Sequence, residues 1–414
     1  VKASTTTNYT PQEVHQLGLD QVADISRRLD AILKAQGMSQ GSVSERLAKL
    51  NEDPKQVYPA TDEGRARMIA DLNTDVAHLY QLLPRAFATL PKAKVEVRRV
   101  PVFIQDGAAN GYYQSAALDG SRPAAFYINL KETADWPRYN LKTLAVHETV
   151  PGHHLQIALA QENPRLPLLR RAGFGFSAFS EGWALYSEQL ADEMGAYEGD
   201  PLGQAGYLQS LLFRAARLVT DTGIHYKRWG RARATQYMVD TIGNTPSRAQ
   251  REVERYFSSP GQANSYKVGH TVWARLREYA KRKLGPKFDL KAYHDHVLVE
   301  GAGGLLVDLD SDGCTLADLG SLLAAAFVVV ARPDLGTLNH TALTLEALQT
   351  RDLQVLGVVL GSWPGNPGVV HHTNRQVLGS LRVRFLGALP GHASELSPPA
   401  FRTEAAAWLN GLPA

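Results

Sequence analysis

The stretch 144-LAVHETVPGHHLQIALAQE-162 decides how the first two-thirds of the chain fold and what they hold. His147 and Glu148 open a zinc-hydrolase pattern in which a second histidine, four residues on, faces the same ion across one helical turn. Position 151 is proline instead, and histidines come only at 153 and 154. Proline has no amide hydrogen and its ring presses on the preceding turn. Pro151-Gly152 therefore predicts a kink or break just after Val150 in a helical run over about 141 to 162. Two extra residues in the turn move the expected ligand from i+4 to i+6, which is His153. An unbroken helix would favour His154, about 20° off the face of His147 and roughly 10 Å along the axis. The Pro-Gly pair favours His153, with His154 as an alternate ligand or a residue supporting the ligands.

A hydrolytic zinc takes three protein ligands, leaves a position for water, and needs a carboxylate to receive that water's proton. Glu148 is the candidate base. The run SAFSEGWALYSEQLADE (177–193) predicts a helix from about 180, capped by Ser180, with Glu181 in its first turn and Glu188 seven residues on along nearly the same face. Glu181 is the expected third ligand, and Glu188 is expected to orient a ligand histidine.

With 414 residues and 44% apolar content the chain is long enough for two or three domains with sizeable cores. Its 44 basic and 41 acidic side chains leave a net charge of +3, which gives no reason to expect nucleic acid or an anionic membrane as partner. The densest basic run, KRWGRAR (227–233), reads as a solvated turn. A lone cysteine, Cys314, makes no internal disulfide and reads as a buried thiol. The first residues, VKASTTTNYT, lack a signal-peptide pattern, and no window is apolar enough to span a membrane. A bacterial cytoplasmic location is expected for the chain as it stands, with export open if a leader precedes it.

Composition divides the chain. Fourteen lysines fall within residues 1–291 and none in the remaining 123. At the same place long amphipathic helical patterns give way to short apolar runs, HVLV, AFVVVA and LGVVL, each followed by glycine or a helical stretch. The front reads as mainly α with a small β-sheet, the back as an incomplete parallel α/β half-domain. The boundary is set at residues 1–297 and 298–414. Besides the runs named above, helices are expected at about 10–37, 62–87, 203–220, 231–240, 246–256 and 265–284. KVEVRRVPVFI (94–104) and AAFYINL (124–130) read as strands joined through YYQSAALDGSRP (112–123).

HETVPGHHLQ, EGWALYSE, LVTDTGIHYKRW and PGQANSYKVG, in this order over residues 8–298, resemble the bacterial domain-of-unknown-function family 885, regarded as zinc metallopeptidases of the gluzincin type. The resemblance implies one zinc per chain at His147, His153 or His154, and Glu181, with Glu148 as general base and a peptide or small amide as substrate. His225 and Tyr266 are candidates to steady the oxyanion. Tyr113, with Tyr127 and Asn129 on the strand FYINL, is a candidate to pair with an extended peptide at a sheet edge. Family members usually carry a further helical segment before this part and a tail after it, so an incomplete cleft is expected.

VLVEGAGGLLVDL (297–309), with the runs through LGVVLGSWP, resembles the C-terminal half of dethiobiotin synthetase, a P-loop-type enzyme that uses ATP and Mg2+. That resemblance makes Glu300 a vestigial magnesium ligand and Gly301, Gly303 and Gly304 vestigial substrate contacts. The G-x-x-x-x-G-K-[ST] loop is missing, and no lysine is present to meet a phosphate, so no synthetase activity is expected. The two resemblances meet inside AYHDHVLVEGAGG (292–304), as in a chimera or fusion of two partial proteins. The half-sheet is expected to expose an apolar edge and to be prone to association.

Overall fold

The computed structural model describes residues 1–163, 171, 176–299, 305–306, 315–323, 325–391, 393, 396 and 398–409. Residues 1–163 and 176–299 make one compact unit, and the chain beyond 300 belongs to a second.

The first unit is mostly helical. A short helix α1 (Lys2–Thr5) precedes α2 (Pro11–Ala35), whose start is fixed by Thr10 and Glu13, each bonding the other's backbone N–H, with Pro11 behind the cap. Helices α3 (Val43–Glu52), α4 (Asp62–Leu82), α5 (Arg138–Glu148) and α6 (His153–Glu162) follow, then α7 (Ser177–Glu193) and α8 (Pro201–His225). The unit closes with α9 (Arg231–Ile242), α10 (Pro246–Ser258), α11 (Gln262–Leu284) and α12 (Leu290–Val299).

Between α4 and α5 lies a three-stranded sheet of β1 (Val95–Arg99), β2 (Gly111–Gln114) and β3 (Ala124–Ile128). Its order is β1-β3-β2, with β1 parallel and β2 antiparallel to β3. One face is apolar: Val95, Val97, Phe126 and Ile128 pack on Met68, Leu72 and Val76 of α4 and on Leu141 and Ala145 of α5. That packing holds α5, and therefore His147 at its end, against the sheet.

The expected break is present: the run 141–162 is two helices, separated by a turn over Thr149–Gly152 with a cis Val150–Pro151 peptide. Several other expectations are corrected. Ser180 is not a cap: α7 starts at Ser177, and the Ser180 hydroxyl turns back to the Phe176 carbonyl inside the first turn. FYINL is not a sheet edge, since β3 is the central strand, and the edge falls to β2 within the segment read as a connection. The first strand ends at Arg99, shortly before Pro101, and Val102–Ile104 form one 3-10 turn. HVLV, read as a strand, completes helix α12, because burial of Tyr293, His294 and Leu298 at helical spacing outweighs local β-propensity. Helix α3 was not expected, although Ser42 and Glu45 form its reciprocal cap.

Two helix pairs approach at glycine. On α2 a Cβ at Gly18 would lie 2.7 Å from Val219 Cγ2 of α8. Helices α7 and α11 run side by side in the same direction, Ser177 bonding Ser265 near their starts and Glu193 bonding Arg277 further along. Their backbones meet at Gly182 and Gly269, where a Cβ on Gly269 would stand 2.1 Å from the Ala178 carbonyl oxygen.

The second unit contains α13 (Leu316–Leu323), β4 (Phe327–Ala331), α14 (Thr337–Gln349), β5 (Val355–Trp363), α15 (Val369–Gly379), β6 (Phe385–Pro390) and α16 (Pro398–Trp408). The strands form a parallel sheet in the order β4-β5-β6, with Ala331, Leu345, Val358, Leu360 and Leu378 in its core. This is the expected arrangement, and β5 carries the continuous buried run of a covered parallel strand. On β4, Val330 is 68% exposed, the apolar surface expected of a partial sheet. Glu300, Gly301, Gly303, Gly304 and Cys314 lie outside the described residues.

Substituting Gly269→Ala should lower the melting temperature by an amount equivalent to about 1–3 kcal/mol or more, because a methyl has no room between two backbones. Gly107→Ala, which meets open space, should shift it by no more than about 0.5 kcal/mol, and calorimetric unfolding of both variants checks the contrast.

Candidate metal centre

The centre is built by three elements. Helix α5 ends at Glu148, and the amide of Thr149 still bonds the Ala145 carbonyl at 2.8 Å. Pro151 stops the ladder there. Gly152 then passes so close to the end of α5 that a Cβ on it would lie 2.0 Å from the His147 carbonyl oxygen. Any larger residue at 152 would push α6 away. Trp183, fully buried on α7, donates its ring N–H to the Pro151 carbonyl at 2.9 Å and so ties the turn to the helix that carries Glu181.

The result is a tight group. His147 Nε2 stands 3.5 Å and His153 Nε2 3.4 Å from the same Glu181 oxygen. The two rings lie at 87° with centroids 4.9 Å apart. Among the described residues this is the one set of three or more His, Cys, Asp or Glu side chains whose donor atoms all fall within 4.8 Å of one another. Zinc bonds of about 2.0–2.1 Å in a tetrahedron place ligand atoms roughly 3.3–3.4 Å apart, so the two measured spacings fit that ion. The donor set, two imidazoles and a carboxylate, is one that zinc takes.

Glu188, fully buried two turns further along α7, bonds His147 Nδ1 at 2.8 Å. That bond directs Nε2 of the same ring toward Glu181 and His153, as expected for a residue orienting a ligand. The second Glu188 oxygen and His153 Nδ1 are buried without a hydrogen-bond partner among the described residues. Glu148 is buried beside His147, and among the described residues it makes no hydrogen bond or ion pair. Three carboxylates thus surround two imidazoles in a region of low exposure, an excess of negative charge that suits a divalent cation.

Without a cation the protons of the cluster stand in for it. Burial works against charging His147, but the Glu181 and Glu188 carboxylates outweigh it and hold its pKa up at about 10. Burial likewise works against the Glu181 carboxylate, yet His147 and His153 hold it well below the usual carboxylate range. A metal must displace the His147 proton to bind, so its affinity rises with pH.

His154 is excluded from the group. Its Nε2 bonds the Ala93 carbonyl at 3.0 Å and its Nδ1 meets the Tyr113 hydroxyl at 3.0 Å. Burial pushes its pKa down to about 4, so it stays neutral. Of the two histidines, the one the proline-insertion reading favours, His153, is the one placed with His147 and Glu181. His225 ends α8 with its Nε2 on the Tyr256 carbonyl, 2.9 Å away. Tyr266 lies half-buried on the first turn of α11, its ring 4.8 Å from the Arg217 guanidinium. Among the described residues neither makes a hydrogen bond or ring contact with the cluster. Tyr266 does follow Ser265, which bonds Ser177 one turn before Glu181.

Tyr127 pairs with Tyr112, stacked at 5.3 Å, while the next pair, Tyr113 with Phe126, occupies the opposite face of the sheet. Asn129 is engaged internally: its amide nitrogen donates to the Gln105 carbonyl and its side-chain oxygen accepts from the Lys131 backbone. Three residues that sequence reasoning missed are Trp183 and the buried pair Lys267 and His270, bonded at 3.1 Å. Trp183 adjoins the quoted glutamate, but only the fold reveals its carbonyl partner.

The fold and the cluster together define a helical protein with a buried two-histidine, one-carboxylate metal-binding geometry, joined to part of a parallel α/β domain. The sequence model described as "Bacterial protein of unknown function (DUF885)" matches residues 1–307, and the chain belongs to that family. A second model, of an AAA domain, matches residues 261–400 and overlaps the first. The chain is 44% identical to a protein of Colwellia psychrerythraea provisionally described as a lipoprotein, with a TM-score of 0.71 over 78% of this chain and 53% of that one. A Shewanella oneidensis protein, 20% identical with a TM-score of 0.61 over 72% of this chain and 55% of that one, shares the fold. The ATP-dependent dethiobiotin synthetase BioD of Streptomyces coelicolor is 49% identical over 121 residues, 29% of this chain and 51% of that protein. Its counterpart in Mycobacterium tuberculosis is 48% identical over 120 residues, 28% of this chain and 53% of that protein. The chain thus spans about half the length of these relatives and is a fusion of two parts. Among the described residues no helix is long and apolar enough to cross a membrane.

His153→Ala should abolish retention of one zinc per chain after dialysis, whereas His154→Ala should leave it, as elemental mass spectrometry would read. Glu188→Gln should keep the metal but weaken it by about 10–100-fold, measured by competition with a chelator.

The metal-free protein should carry a distinct pH signature. The folded pKa of His147 lies above its unfolded value, so its contribution to stability is whole below about pH 6.5 and is lost as pH rises through about 10. The depressed Glu181 contributes above its unfolded value, near 4.5, and loses that as pH falls. With chelator present, the melting-temperature gap between the native protein and Glu181→Gln should peak at about pH 5–6.5 and narrow toward pH 10.

Proposed function

We propose that residues 1–297 form a zinc-dependent hydrolase of the gluzincin type that cleaves peptide or small amide bonds. The observation that carries this reading is the convergence of His147 Nε2 and His153 Nε2 on one Glu181 oxygen, with Glu188 behind His147 and Glu148 next to it in the chain. A zinc ion held there supplies a Lewis acid for the scissile carbonyl and makes water acidic enough to lose a proton near neutral pH.

Glu148 takes that proton and returns it to the leaving amine, the task for which its burial without an acidic or basic partner suits it. Glu188 holds the His147 ring in one orientation through Nδ1, so the ligand nitrogen does not have to be reoriented during turnover. Tyr266 is the donor assigned to the oxyanion, in preference to His225, whose ring nitrogen already serves the Tyr256 carbonyl. The outer edge of β2, with Tyr113, is the place for an extended peptide backbone.

Residues 298–414 are proposed to carry no synthetase activity. ATP and Mg2+ belong to the relatives' reaction, but this sequence has no phosphate-cradling G-x-x-x-x-G-K-[ST] loop and no lysine after Lys291.

Glu148→Gln separates binding from chemistry. The variant should keep about one zinc per chain while peptide-library turnover falls by about 10²–10⁴-fold. Turnover by the native protein that survives both this change and removal of zinc would overturn the proposal.

A further inference from the structure

Helix α6 carries His153, yet the break at Thr149–Gly152 denies it continuity with α5. Its placement on the sheet has another source. At its far end the Glu162 carboxylate accepts the backbone N–H groups of Lys92 and Ala93 at 2.8–3.0 Å, just before β1. At its near end His154 Nε2 bonds the Ala93 carbonyl at 3.0 Å. A carbonyl only accepts, so that nitrogen carries the proton and Nδ1 is left as an acceptor. The Tyr113 hydroxyl, 3.0 Å away, therefore donates to it.

A second bond repeats the link: Gln161 donates to the Ala116 carbonyl at 3.2 Å. From Tyr113 to Ala116 the extended chain advances roughly 10 Å, and from His154 to Gln161 a helix advances about 10.5 Å. The strand segment and the helix thus run alongside each other in matched register. Strand β2 is also the outer strand of its sheet, paired with β3 alone among the described strands.

We propose that His154 is a positioning residue: its bond from Tyr113 straps the edge strand β2 to the helix that carries His153, so that a peptide pairing with β2 is held at a set place relative to the metal centre. The substrate in this statement rests on the hydrolase reading above, while the strap rests on the hydrogen bonds alone.

The test uses the full chain loaded with zinc and three variants. His154→Asn leaves an acceptor where Nδ1 stood, facing Tyr113. His154→Gln reaches the Nε2 position and keeps the donor to Ala93, and Tyr113→Phe removes the other half of the strap. Amide exchange over Tyr112–Gln114 should be roughly tenfold faster in His154→Gln and Tyr113→Phe, the loss of one hydrogen bond, and near native in His154→Asn, with Val95–Arg99 unchanged. KM for a peptide substrate should rise by about tenfold in the same two variants with kcat within about twofold, and all three should keep about one zinc per chain.

Unchanged exchange in His154→Gln and Tyr113→Phe would overturn the strap. Faster exchange with an unchanged KM would overturn its positioning role, and loss of zinc from His154→Asn would make the residue a ligand instead. If the native protein cleaves no peptide, the hydrolase reading and the positioning role fall together, while the exchange comparison still decides the strap.

Discussion

A proline without an amide hydrogen, placed one turn after His147, is the constraint on which the centre depends. It ends α5, and the glycine after it lets the chain turn back within van der Waals reach of the helix it has just left. Only then does His153 come round to face His147. The same turn offers its freed Pro151 carbonyl to Trp183, so the break that brings in His153 also fixes the helix bearing Glu181. Breaking a helix leaves polar groups unpaired, and three of them are taken up locally here: the Gly152 amide by Val146, the His154 amide by Thr149 and the Pro151 carbonyl by the indole.

What could be read from the sequence follows from how local each cause is. The helix break and the choice of His153 over His154 rest on proline and glycine chemistry within seven residues, and both are legible. Glu181 and Glu188 are legible because helical periodicity puts them on one face. The start of α7 is not, since Ser180 looks like a cap and the real start depends on Ser177 meeting Ser265 in a distant helix. The central place of β3 is equally hidden, because strand order is decided by which neighbours bury Phe126 and Ile128, not by the strand itself. Tyr113 is legible as a residue beside a sheet edge, but its partner His154 is not, because the two stand 41 positions apart in the chain and only the fold brings them together.

The two units show opposite relations between propensity and structure. In the second, β4 and β5 form where β-branched runs predict them, and the parallel order agrees with the alternation of strands and helices. In the first, aromatic and histidine side chains override such preferences. His294 sits in a box of Phe87, Trp183, Tyr186 and Tyr293, stacked on Phe87 at 4.8 Å and bonded to the Ala86 carbonyl and the Tyr186 hydroxyl. Asp295 adds bonds to the Thr89 amide and hydroxyl.

Helix α12 therefore has a consequence for the junction itself. Both family models include its residues, and the second resemblance reads their apolar end as the opening strand of a synthetase-like sheet. A stretch of chain cannot be helix and strand at once. With His294 committed to the aromatic box and Leu298 buried, the segment is used up as a plug for the helical unit. The α/β unit must build its sheet from the strands that remain. Shared letters at the joint have become unshared structure: in this fold the front half owns them.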